Sequence, residues 1–163
     1  MGGTATGQTL TTAAYSLTML ANSTACVVSI SYDGAMSDLG WVGWGLGTAM
    51  SGADIVVLWP NSDSSWTLSH RNAVSTTMPT VVDTSSSSDP SADATGSLAV
   101  VASLSSSSSS DSPTIVTFSR PLTMPSDYTT DAEVKDLAQE INQPVIYALG
   151  PKNPGKFGSG DGY

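Results

Sequence analysis

The sequence predicts an all-β sandwich, on three observations. Apolar and polar residues alternate with a period of two in runs of six to eight, the pattern of strands with one buried face. Clusters of Gly, Asn, Asp, Ser and Pro separate those runs. One stretch alone has helical spacing.

Residues 16–21 and Ala25–Tyr32 form the first hairpin, turning at Asn22-Ser23-Thr24, with Cys26, Val28, Ile30 and Tyr32 on one face. Turn residues fill 33–40. Trp41–Leu46 then places Val42, Trp44 and Leu46 on one face and Trp41 on the other, among glycines that allow a backbone or a flat ligand to approach closely. Residues 54–59 are β-branched and almost continuously apolar, the mark of a central strand covered on both faces. In 66–71, Trp66, Leu68 and His70 alternate with Thr67, Ser69 and Arg71.

Further strands are predicted at 80–82, 98–104, 114–120 and 144–150. Serine-rich, low-complexity loops at 84–93 and 105–113 lie between strands of one domain, 1–163, because such insertions cost little at a surface. The short helix is predicted near 131–141. Thr130 and Glu133 make a capping box, Val134, Leu137, Ala138 and Ile141 form an apolar stripe, and Pro144 follows.

Composition narrows the function classes. Only 12% of the chain is charged against 39% hydrophobic, and serine and threonine supply the remaining polarity, as in many secreted, glycosylated proteins. A formal net charge of -9 with five scattered basic residues excludes a phosphate-neutralising surface, and so nucleic acid as a partner. It also disfavours anionic membrane. The single cysteine, Cys26, rules out an internal disulfide and reads as a small core residue. No apolar run reaches the length of a membrane span, and no basic-then-apolar signal peptide opens the chain. Asn22-Ser-Thr is an N-glycosylation sequon in a turn. No catalytic constellation emerges, because the one histidine has no evident nucleophile to serve. Asp54 and Asp63 flank the apolar strand without the spacing of a known cation loop.

Four segments in order, GWVGWGLGTAMSGADIVVLWPN, WTLSHRNA with MPT, TIVTFSRPL and PVIYALG, resemble the DOMON fold. They are most similar to fungal extracellular cytochrome domains of the cellobiose dehydrogenase type. The resemblance implies an immunoglobulin-like two-sheet sandwich that holds haem b at one end through a methionine and a histidine. Met50 stands where that family has its axial methionine, and Trp44 and Tyr147 are candidate pocket neighbours. Met/His ligation raises the haem potential and suits electron transfer. The implied partners are a flavin dehydrogenase as donor and a copper oxygenase, quinone or ferric ion as acceptor, in an extracellular setting.

One part of the pattern differs. The family's histidine follows the Tyr-Ala-Leu-Gly strand, and residues 151–163 contain none, as in a fragment ending short of the ligand or a member that has lost it. His70 does not stand at the ligand position and reads as a histidine packed or hydrogen-bonded at a sheet surface. Two other expectations therefore accompany the haem reading. A haem-free module binding carbohydrate or another small ligand would show exposed aromatic residues, with Trp41, Trp59 and Trp66 as candidates. A secreted structural protein would self-associate through an open sheet edge.

Overall fold

The computed structural model describes residues 6–11, 15–35, 38–61, 66–73, 75, 80–81, 99–100, 113–122 and 144–150. Ten strands run through them: β1 (Thr6–Thr11), β2 (Tyr15–Ala21), β3 (Ala25–Tyr32), β4 (Trp41–Leu46), β5 (Ala53–Pro60), β6 (Trp66–Ala73), β7 (Thr80–Val81), β8 (Ala99–Val100), β9 (Thr114–Pro121) and β10 (Val145–Gly150). They form two five-stranded antiparallel sheets, ordered β1-β2-β3-β9-β8 and β10-β4-β5-β6-β7. The predicted sandwich is present. The helix expected near 131–141 and the serine-rich loops at 84–93 and 105–113 lie outside the described residues.

β1 is an addition to the sequence reading. Its sequence, TGQTLT, has too little apolar alternation to signal a strand. It is recruited instead by the backbone of β2, with Thr6 opposite Ala21 and Thr11 opposite Ser16. The Thr9 and Thr18 hydroxyls meet at 3.1 Å across this pair.

The two sheets close on one core. Leu17, Cys26, Val28, Ile30, Val116 and Phe118 come from the first sheet, and Val42, Trp44, Leu46, Val56, Leu58 and Leu68 from the second. These are the residues that strand alternation places on one face, so each sheet loses its apolar side to water's exclusion. Trp44 packs edge-on against Phe118, ring centroids 5.8 Å apart. The three-residue turn before β3 is held by Asn22, whose Oδ1 accepts from the Thr24 and Ala25 amides at 2.8 and 2.9 Å and from the Thr24 hydroxyl.

β5 is buried along its whole length, as a strand with apolar residues at nearly every position requires. Val56 and Leu58 face the first sheet. Ala53, Ile55, Val57 and Trp59 face the other way and form a second apolar cluster with Ala73, against which Trp41, Met50 and Ile146 pack. The second sheet therefore has two apolar faces, and the one turned away from the sandwich core sets up the site.

Candidate functional site

The site begins with missing side chains. On β4, residues 43 and 45 point away from the core, and both are glycine. Opposite them on β10 are Ala148 and Ile146, and on β5 Val57 and Ile55. A cavity of about 280 Å3 lies over this glycine floor, with Ile55 and Val57 along one side and Ile146 and Ala148 along the other. A Cβ on Gly45 would come within 2.9 Å of both the Asp54 carbonyl oxygen and the Ile55 Cγ1, so no larger residue fits there without moving its neighbours.

Trp41 and Met50 bound the cavity along β4. Trp41, half-buried, lies down along the sheet. Its indole covers Gly150, where a Cβ would sit 1.9 Å from Nε1, and reaches Gly43, where a Cβ would sit 3.3 Å from Cζ3. Met50 follows β4 in the turn to β5. The Ala53 amide donates to the Met50 carbonyl at 3.1 Å, and Gly52 takes a φ of 73°, the left-handed conformation that a type II turn needs at its third residue. The turn brings the half-buried Met50 side chain over the second cluster. From Trp41 to Gly45 the floor runs four strand residues, roughly 13 Å.

Trp44 and Tyr147 border the cavity, but their rings belong to the opposite side of the sheet. Trp44 is fully buried against Phe118. Tyr147, directly opposite it in the β4–β10 register, packs edge-on to Tyr15 with centroids 5.2 Å apart. Strand alternation forces this, because 44 and 147 have the parity of the core-facing residues. The aromatic wall of the cavity is Trp41. The signal for it was in the sequence: Trp41 has the parity of Gly43 and Gly45, and β10 shrinks from Ile146 through Ala148 to Gly150 on the same face.

His70 faces the core, on β6 opposite Val56. It is buried, and its Nε2 is hydrogen-bonded to Asp54 Oδ1. A carboxylate only accepts, so this nitrogen carries the proton. Asp54 Oδ2 accepts from Arg120 Nη2 at 2.8 Å. The three side chains join both sheets, since Arg120 comes from β9. Asp54 is thus a buried ion-pair partner and not a flanking cation ligand, and no cluster of three His, Cys, Asp or Glu residues suited to a metal occurs among the described residues. Met50 and His70 lie on opposite faces of one sheet and cannot clamp a single flat group between them.

None of the four tryptophans is exposed: Trp44 and Trp59 are buried, Trp41 and Trp66 half-buried. Asn22 is exposed, with its amide oxygen occupied by the turn. Burial pushes the Cys26 thiol up to about 11 against the opposing influence of Arg120, so it is protonated and unreactive at neutral pH.

Residues 5–114 match the family described as the cytochrome domain of cellobiose dehydrogenase. The chain belongs to this family. The matched span contains the glycine floor, Trp41, the Met50 turn and all of β5 and β6, and ends at the first residue of β9. Haem-based electron transfer is thereby the chemistry of the cytochrome-domain family to which the chain belongs, with haem b as the family's cofactor. No curated protein and no solved structure gives a significant match. Among the described residues, no helix is long and apolar enough to cross a membrane.

The residues present fit a flat apolar group on one side. Gly43 and Gly45 add no side chain to the floor of the cavity, its walls are aliphatic and aromatic, and Met50 offers a thioether at the edge. No histidine lines this cavity.

Proposed function

We propose that this chain is a single domain over 1–163 that works as an extracellular haem b electron-transfer unit, in which the Met50 thioether would hold the haem iron. The observation that carries this reading is the conjunction of Met50 with an apolar cavity floored by Gly43 and Gly45, in a member of a cytochrome-domain family. Bound haem supplies a one-electron iron couple whose potential depends on its axial ligands and burial.

The protein's own residues set the conditions for that couple. Met50 would contribute a soft, uncharged donor, which disfavours the ferric charge and so would raise the potential. The buried Ile55 and Val57 present an apolar wall that would lower the local dielectric, which acts in the same direction. β5, which lies behind the site, is buried along its whole length. An electron donor of the flavin dehydrogenase type and an acceptor such as a copper oxygenase, quinone or ferric ion complete the proposed relay. Asn22, exposed in its turn, is the proposed glycan attachment point.

The deciding experiment is the absorption spectrum of the purified protein, with haemin added if it is colourless, before and after dithionite. A Soret band that sharpens and shifts on reduction, and that changes in Met50→Ala, supports the assignment. A spectrum with no Soret band after haemin addition removes it, and an unchanged Met50→Ala spectrum removes the ligand role.

A further inference from the structure

We infer that Trp41 is a positioning residue of this cavity, and that Gly150 is the device that sets it: together they fix where a flat porphyrin ring can seat over the Gly43–Gly45 floor. The inference rests on the porphyrin reading above, and extends it to two residues beyond the ligand.

The geometry is specific. A tryptophan on a strand ordinarily stands roughly perpendicular to the sheet. Here the indole lies along it, because its cross-strand partner is Gly150, whose missing side chain leaves the space the ring occupies. The overlap is severe: a Cβ on Gly150 would fall 1.9 Å from Trp41 Nε1 and 2.4 Å from both Cδ1 and Cε2. All three atoms belong to one rigid indole, so an alanine at 150 would force the whole ring to move. The other end of the indole rests at Gly43, the first residue of the floor. Trp41 thus closes the cavity at the β4 entrance while Met50 bounds it at the β4 exit. A ring that is seated by the thioether meets the indole if it slides along the glycine floor. The cavity is therefore closed at both ends by side chains that the backbone holds, one by a turn and one by an opposing glycine.

The test uses the full chain with two probes, haemin and iron-free protoporphyrin IX, titrated into wild type, Trp41→Ala, Trp41→Phe and Gly150→Ala. Thermal melts check that each variant folds. Trp41→Ala should weaken both probes about tenfold and lower the haem midpoint potential, because the opened end admits water. Trp41→Phe should restore most of the affinity. Gly150→Ala keeps the indole but displaces it, and should reproduce the Trp41→Ala potential, an effect a merely structural role would not give.

If wild type and Trp41→Ala bind both probes alike, the positioning role is overturned while the porphyrin reading stands. If wild type binds neither probe, both fall. Trp41-dependent binding of protoporphyrin with a haemin spectrum indifferent to Met50→Ala supports the positioning role and removes the ligand assignment.

Discussion

Replacing Asp54 by alanine tests the physical account of the core most directly. Asp54 is 2% exposed, and both of its oxygens are engaged, one by His70 and the other by Arg120 at 2.8 Å. Arg120 is itself only 1% exposed and comes from the opposite sheet. Removing the carboxylate leaves a guanidinium inside the sandwich without its counter-charge. Breaking a buried pair from one side costs about 3–5 kcal/mol, against a stability of about 5–15 kcal/mol for an ordinary domain. For a chain of this size that corresponds to a fall in Tm of roughly 6–20 °C. The double variant Asp54→Ala/Arg120→Met removes both charges, and should recover a large part of the loss, because the desolvation cost of the guanidinium disappears with it. Urea denaturation of wild type, both singles and the double gives the coupling directly. A single-variant loss below about 1 kcal/mol, or a double that loses the full sum of the singles, would refute the reasoning.

Three further outcomes follow from the same structure. Gly45→Ala should destabilise by about 1–3 kcal/mol and weaken haemin binding, since its Cβ meets a backbone carbonyl that cannot rotate away; unchanged melts and titrations would contradict this. Alkaline stability should fall from about pH 9 as the unfolded chain loses protons that the fold retains. Cys26 is pushed up to about 11 and Tyr15 to about 12, both chiefly by burial, so the loss continues across that window, and Cys26→Ala with Tyr15→Phe should flatten the pH–stability curve. Asn22→Asp should abolish any glycan on the β2–β3 turn while keeping the side-chain acceptor for the Thr24 and Ala25 amides; mass spectrometry of protein from a glycosylating host, with a melt of the variant, reads both.

Much of this molecule was legible from residue order alone. Period-two alternation identified the faces of β3, β4 and β6, and a β-branched run identified β5 as the doubly buried strand. Side-chain parity is a local property, so it survives without tertiary information. The family resemblance, too, was carried by a contiguous stretch, the glycine–tryptophan strand and its methionine turn. The same parity rule separates Trp41 from Trp44, yet it cannot say which face has a use.

That choice was tertiary. Two apolar faces of one sheet look alike in sequence; only the packing of the second sheet shows that Trp44 belongs to the core and Trp41 to the cavity. Strand β1 has no sequence signal because backbone hydrogen bonding to β2, not side-chain patterning, makes it a strand. Gly150 is silent until β10 pairs with β4 and places it under an indole more than a hundred residues away. Asp54, His70 and Arg120 are equally distant in sequence from a shared meaning. Folding brings them together because a buried charge persists only where other elements supply its partners.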